Sequence, residues 1–152
     1  MCKKIHLRKV RYKSDIIKVN KLARQIWREY YTPLIGKEQV TYMLEKFQSL
    51  KAISNQIASG YEYYLANYKK KDIGYTAFFY DNKHHTLVLS KIYLQKSYRG
   101  LGLGKEIINF IEEICRKNHI QKIHIFVNKN NKSSIAFYKK TGFIKAGASV
   151  KD

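Results

Sequence analysis

The sequence has few of the residues that cross-links, rigid turns and metal sites require. It contains two cysteines and one proline in 152 residues. Cys2 and Cys115 are too few and too differently placed for a disulfide framework or a cysteine-bound metal. We therefore predict free thiols and no metal.

Long hydrophobic runs are also lacking. No stretch approaches the ~18 apolar residues of a membrane span, and the N-terminus has no apolar core of a secretion signal. The hydrophobic content of 45% and the length suit one packed core. The sequence predicts a single soluble domain, residues 1–152, located in the cytoplasm.

Acidic residues are scarce, with 11 Asp and Glu against 30 Lys and Arg, for a net charge of +19. This charge predicts attraction to polyanions and repulsion of small cations. The lysines are spread over almost every segment, which is typical of a solvated basic surface. Nucleic-acid binding is a second interpretation, but no DNA-reading module accompanies the charge.

Hydrophobic periodicity divides the chain into strands and helices. Strands are predicted at residues 5–12, 61–68, 72–80, 86–94 and 122–127. Helices are predicted at about residues 14–30, 37–60, 102–118 and 131–140. We predict a loop at residues 30–36, because Pro33 interrupts the helical pattern there. The three middle strands are predicted to form an antiparallel meander.

A glycine-rich turn joins the fourth strand to the third helix. Gly100, Gly102 and Gly104 let backbone N–H groups approach a ligand, and the following helix N-terminus carries partial positive charge. The spacing does not match the dinucleotide fingerprint, and Glu106 stands where a nucleotide-triphosphatase loop needs Ser or Thr. The turn therefore predicts a phosphate site of another kind.

Two motifs resemble those of the GNAT superfamily of N-acetyltransferases. The first has Arg99, Gly102 and Gly104 in the family's cofactor register. The second has the spacing of the family's other block, in Asn131, Ala136, Tyr138, Gly142 and Phe143. The resemblance is strong over about residues 72–143. It implies an α/β fold with a mixed, mostly antiparallel sheet flanked by helices, in the order β-α-α-β-β-β-α-β-α.

This resemblance implies an enzyme that transfers acetyl from acetyl-CoA to a primary amine by direct attack in a ternary complex. Tyr138 would be the general acid that protonates the leaving thiolate. The turn would hold the pyrophosphate, the end of the preceding strand would pair with the pantetheine arm, and Asn131 would contact the cofactor from the other side. The residues assigned to the cofactor are Ile92, Leu94, Arg99, Gly100, Leu101, Gly102, Leu103, Gly104, Lys105 and Asn131.

The general base is not identified by the sequence. Many relatives carry Glu on the strand before the turn, whereas residues 86–94 contain no carboxylate and have Ser90 at the corresponding position. The open alternatives are no base at all, or Glu29, Glu62, His84 or His85. A second interpretation of the whole chain is a catalytically weak module that binds acyl-CoA.

The segments that bear on the acceptor and on partners are less definite. Tyr30 and Tyr31 occupy the usual acceptor wall of the family, where they would either grip the acceptor or pack in the core. Only residues 144–152 follow Phe143, so we expect an incomplete last strand. Either the chain is shortened or a second copy, in a homodimer, covers the open sheet edge.

Overall fold

Helices flank one five-stranded sheet in the computed structural model, which describes residues 4–127 and 131–144. A 3₁₀ turn, Lys96–Tyr98, leads from the fourth strand into the glycine turn. The elements are β1 (Ile5–Lys9), α1 (Lys13–Ile35), α2 (Lys37–Gln48), α3 (Leu50–Ala58), β2 (Glu62–Tyr68), β3 (Lys71–Asp81), β4 (Thr86–Leu94), α4 (Leu103–Lys117), β5 (Lys122–Ile125) and α5 (Lys132–Lys140).

The sheet follows chain order, β1-β2-β3-β4-β5. The first four strands are antiparallel, and β5 is parallel to β4 because α4 crosses over between them. The predicted mixed, mostly antiparallel sheet and its meander are confirmed. β1 and β5 end at Lys9 and Ile125, earlier than predicted.

Helices cover both faces of the sheet. On one face α1, α2 and α3 form a core that includes Val19, Ile26, Val40, Ile53 and Tyr75. On the other face α4 and α5 pack over a second core that includes Ile73, Phe78, Leu89, Ile107 and Ile111. Cys115 belongs to this second core and its thiol is free, as predicted, whereas Cys2 lies outside the described residues.

The predicted loop at residues 30–36 is wrong, because α1 continues through Pro33 to Ile35. Proline removes one backbone donor, but here the loss falls in the last turn of a long helix. Earlier turns are held against the sheet by buried Ile26 and Trp27. Gly36 then ends the helix at φ +87°, and its N–H donates to the Thr32 carbonyl at 2.9 Å. Tyr30 and Tyr31 are therefore helical residues.

The predicted second helix is two helices, so three helices follow β1 instead of two. The chain is extended at Ser49, whose hydroxyl accepts the Ala52 N–H at 3.1 Å and caps α3. The apolar stripe continues across the break, with Leu44 and Ile53 in one core. Periodicity alone therefore did not reveal the break.

The structure does not test the prediction of an incomplete last strand at the C-terminus. Residues 145–152, on which the prediction of an incomplete last strand rests, lie outside the described residues. The incomplete strand and the homodimer that would cover its edge stay predictions.

A chain of buried hydrogen bonds, which we call the polar chain, joins the helices to the sheet. Trp27 Nε1 donates to the Tyr75 hydroxyl at 3.0 Å, and Tyr75 donates to Gln48 Oε1 at 2.5 Å. Gln48 Nε2 donates to the Tyr63 hydroxyl at 3.0 Å, and Tyr63 donates to Gln56 Oε1 at 2.5 Å. Gln48, Tyr63 and Tyr75 are fully buried. The polar chain thus fixes α1, α2 and α3 on β2 and β3.

Replacing Gln48 by Leu should lower the free energy of unfolding by about 2 to 4 kcal/mol, because two buried tyrosine hydroxyls each lose a partner. The quantity to measure is urea-induced unfolding. Gln25→Leu is the matched control, since exposed Gln25 accepts one exposed hydrogen bond, from Gln95. A Gln48→Leu protein as stable as Gln25→Leu would show that the polar chain contributes nothing.

Candidate active site

A β-bulge at Ser90 separates β4 from β5. β4 pairs with β5 only as far as Leu89, opposite Ile125. At the same place the β3–β4 register skips Ser90, which has no partner on β3. A bulge bends its strand and increases the local twist. From Ser90 to Leu94 the outer edge of β4 therefore pairs with no strand among the described residues, and we call this opening the gap, with its closed end at Ser90.

The backbone groups of Ile92 and Leu94 face the gap. The N–H of Gln95 donates to the Ile73 carbonyl at 2.8 Å, so Gln95 points towards β3. Backbone groups alternate sides along a strand, and Leu94 and Ile92 therefore point away from β3. The Leu94 carbonyl accepts a hydrogen bond from Arg99 Nε at 3.1 Å.

The glycine turn presents free backbone donors. Gly100 and Gly102 both have φ +80°, and no heavy atom lies within 4 Å of the position that a Cβ would take. In residues 4–127 and 131–144, no backbone N–H of residues 100–105 donates to another described residue. The first α4 bond starts one residue later, from Glu106 N–H to the Gly102 carbonyl at 3.3 Å. The turn is thus an open row of donors at a helix N-terminus.

Two of the residues assigned to the cofactor also have structural roles. The Leu103 side chain is buried in the core under α4, so its backbone N–H is the group that a ligand can reach. A Cβ at Gly104 would lie 2.9 Å from the Phe137 ring, so glycine lets α5 pack closely on α4. Leu101 and Lys105 are exposed.

Tyr30 joins the two sequence motifs. The Arg99 guanidinium lies 5.5 Å from the centroid of the Tyr30 ring. The Tyr30 hydroxyl donates to Asn131 Oδ1 and lies 2.9 Å from Ser133 Oγ. Asn131 Oδ1 also accepts the Ser134 N–H at 3.2 Å, which caps α5. The sequence predicted that Tyr30 would either grip the acceptor or pack in the core, and no local pattern indicated this link.

Tyr138 lies where the sheet is open. It packs with the rings of Phe137 and Phe143 on the α4 side. Burial raises the pKa of its phenol, and Tyr31 and Tyr30 of α1 raise it further. Since α1 and α5 cover opposite faces of the sheet, these groups interact across the gap. The Tyr138 hydroxyl has no hydrogen-bond partner within the part of the chain that the structure describes.

Among the candidate bases from the sequence, Glu62 and His84 form ion pairs with other side chains, and Glu29 lines a cavity. Glu62 pairs with Lys9 of β1 at 3.5 Å. His84 pairs with Asp81 at 2.7 Å in the β3–β4 turn. At about 3.3 Å per strand residue, this turn is about 16 Å from Ser90. Glu29 lines a cavity of about 500 Å³ just beyond the end of β4, whose other lining residues are Gln25, Lys71, Gln95, Lys96, Ser97 and Tyr98.

Lys91 is a residue that the sequence reasoning missed. It lies beside the bulge, with Nζ 3.0 Å from Ser90 Oγ and 3.3 Å from Gln56 Oε1. Burial lowers the pKa of its ammonium to about 8. In a chain with so many lysines, Lys91 looks like one more surface charge. The sequence therefore does not indicate that its ammonium is partly buried.

Neither a metal cluster nor a membrane span is found within the described residues. No group of three or more His, Cys, Asp or Glu residues there is arranged to hold a metal ion. None of the helices described is long and apolar enough to cross a membrane.

Comparison with known proteins places these features in a family. The model of the Acetyltransferase (GNAT) family matches residues 20–143. The spermidine N(1)-acetyltransferase of Thermoplasma acidophilum is 23% identical over 143 residues, which cover 86% of this chain and 83% of that protein. A probable spermine N(1)-acetyltransferase of Bacillus subtilis subsp. natto is 30% identical over 64 residues, 41% of this chain and 42% of that protein.

A solved structure has the same fold. The PaiA N-acetyltransferase of Thermoplasma acidophilum, in complex with coenzyme A, superposes with a TM-score of 0.82 at 22% identity. The match covers 92% of this chain and 89% of that chain. The resemblance noted in the two sequence motifs is thereby confirmed. The chain belongs to the acetyltransferase (GNAT) family, an acyltransferase family that uses acetyl-CoA as acyl donor.

Proposed function

We propose that this protein transfers the acetyl group of acetyl-CoA to a primary amine by direct attack in a ternary complex. The observation that carries the proposal is the gap itself. A row of free backbone donors lies at its mouth, and the buried phenol of Tyr138 interacts electrostatically with Tyr31 and Tyr30 of α1. The alternative is a catalytically weak module that binds acyl-CoA. A thiol-release assay distinguishes the two functions.

The residues of the turn and the gap fit this donor. Residues 100–105 offer backbone N–H groups to a pyrophosphate, and the positive φ and open space at Gly102 let an anion approach closely. The backbone of Ile92 and the N–H of Leu94 can pair with an amide-bearing arm, whereas the Leu94 carbonyl already accepts a hydrogen bond from Arg99. Asn131, held by Tyr30, and Arg99 border the same place from two sides.

Tyr138 is proposed as the general acid. Acetyl-CoA supplies a thioester, whose sulfur leaves as a thiolate. The raised pKa of Tyr138 keeps its proton on the phenol oxygen at neutral pH, and this proton is then available to the departing sulfur. Its surroundings are mainly aromatic rings, so water competes little for the hydroxyl.

The acceptor is proposed to be an amine of low positive charge. The relatives named above acetylate polyamines, which makes spermidine the obvious comparison. The side chains bordering the gap that can carry a charge include Arg99 at its mouth and Lys91 at its closed end. Arg99 is cationic, and Glu29 lines a cavity together with residues 95–98, which follow Leu94. A polycation would therefore meet repulsion at long range from the net charge of +19. Nucleic-acid binding stays a prediction.

A thiol-release assay over a panel of primary amines tests the function. We expect turnover, with a higher kcat/KM for an uncharged-tail amine than for spermidine, and a difference that shrinks as salt screens the repulsion. The assay is run at two salt concentrations. A clear preference for spermidine would contradict the acceptor class, and cofactor binding without turnover on any amine would support the binding module.

Tyr138→Phe should lower kcat by roughly 10- to 1000-fold, because it removes a proton donor that acts in the transition state. Affinity for acetyl-CoA, measured by calorimetry, should change little because the ring is kept. Since the pKa of Tyr138 is raised, wild-type kcat should show no fall from loss of this proton at mildly alkaline pH.

Tyr42→Phe is the matched control, since Tyr42 is half exposed on α2. If Tyr138→Phe turns over as fast as this control, proton delivery to the thiolate lies with another group.

A further inference from the structure

The closed end of the gap is where the reacting atoms come together, if the proposed function is right. The pyrophosphate site lies beyond Leu94, so an extended arm along the gap runs back towards Ile92 and Ser90. It can go no further, because β4 and β5 are paired again at Leu89. The residues at this end are therefore those next to the thioester and the incoming amine.

Ser90 and Lys91 form a hydrogen-bonded pair at this end. Ser90 is exposed at the bulge, and its Oγ lies 3.0 Å from Lys91 Nζ. Lys91 is half-buried behind it, on the same face of β4 as Tyr93, which bonds to Tyr31 of α1 at 3.1 Å. This is the face on which α1 forms one wall of the gap.

The groups around Lys91 are neutral. From α3, Gln56 Oε1 accepts its hydrogen bond at 3.3 Å, and the same oxygen accepts the Tyr63 hydroxyl at the end of the polar chain. The ring centroids of Tyr61, just before β2, and Tyr63, within it, lie 5.3 and 5.7 Å from Nζ. Within the described residues, no carboxylate forms an ion pair with Lys91.

The contacts of Lys91 can be made by an uncharged amine. A neutral lysine amine has two N–H groups and one lone pair, whereas an ammonium has three N–H groups. An uncharged Lys91 can donate one N–H to Gln56 Oε1 and accept the Ser90 hydroxyl proton on its lone pair, since Ser90 Oγ lies 3.0 Å from Nζ. Desolvation favours the uncharged form, because it lowers the pKa of Lys91 to about 8. The lone pair thus becomes available as the pH rises through about 8.

We propose that Ser90 and Lys91 act together as the general base that the strand otherwise lacks. The acceptor nitrogen forms its bond to the acetyl carbon as the carbon–sulfur bond breaks. Its surplus proton passes to Ser90 Oγ while the Ser90 proton moves to Lys91 Nζ, and Tyr138 protonates the sulfur. Lys91 then loses its added proton to solvent, and the Tyr138 phenolate takes up a proton from solvent. The polar chain holds Gln56, and so Lys91, in position.

The variant that tests this is Lys91→Met, which keeps the apolar stem and removes the amine. We expect kcat/KM to fall by about 100-fold, the usual contribution of a general base, with acetyl-CoA affinity unchanged by calorimetry. Lys91→Arg should be equally impaired, because a guanidinium cannot give up its proton. Lys46→Met, which removes an exposed lysine that also lies over aromatic rings, should be unaffected.

The pH profile separates a base from a structural role. In the wild type kcat/KM should rise with pH through about 8, as Lys91 loses its proton. The profile is measured with two acceptor amines of different basicity. If the rise in kcat/KM reflects the pKa of Lys91, this limb of the profile lies at the same pH for both amines. If it reflects the pKa of the acceptor, the limb shifts with the pKa of the amine used. The Lys91 limb should be absent in Lys91→Met and Lys91→Arg, and kcat/KM should fall in Ser90→Ala.

Three results would overturn the relay. They are near wild-type turnover in Lys91→Met, rescue by Lys91→Arg, and an unchanged pH limb in an impaired variant. Each of these requires an active wild type. Failure of the proposed function looks different, since the wild-type protein itself would then acetylate no amine.

Discussion

The bulge at Ser90 is the constraint on which the candidate site depends. Without it, β4 would pair with β5 along its whole length and the backbone of Ile92 and Leu94 would be used inside the sheet. With it, one edge of a central strand is free at its C-terminal end, next to the turn that opens α4. The same irregularity opens the gap, closes it at one end, and places Lys91 beside that end.

Opening the sheet also lets groups from its two faces meet. Tyr30 and Tyr31 come from α1, whereas Asn131 and Tyr138 come from α5 and its cap. Elsewhere in the described residues the sheet separates these layers. The hydrogen-bond donors around the gap are backbone N–H groups, the phenols of these tyrosines and the side chain of half-buried Lys91. Fixed dipoles of this kind stabilise developing charge without reorganising, which is what acyl transfer requires.

Local patterns predicted the parts of the fold that depend on local physics. The aromatic and β-branched residues of β2, β3 and β4, the periodicity of α4 and the glycines of the turn each predicted local structure, because each acts over a few residues. The loop at residues 30–36 and the single helix over residues 37–60 were wrong predictions, because tertiary packing extends α1 and a continuous apolar stripe hides the break before α3. The environment of Lys91 could not be predicted from the sequence, because residues of α3, of β2 and of the bulge form it together.

The central claim is that the gap and the turn hold acetyl-CoA through their backbone. Amide hydrogen exchange, measured residue by residue by NMR with and without coenzyme A, tests it directly. We predict slower exchange at residues 100–105 and at Ile92 and Leu94 in the wild type, and no such change in Gly102→Glu, where a carboxylate meets the pyrophosphate. Tight binding that leaves these amides unprotected, or equal protection in Gly102→Glu, would contradict the account.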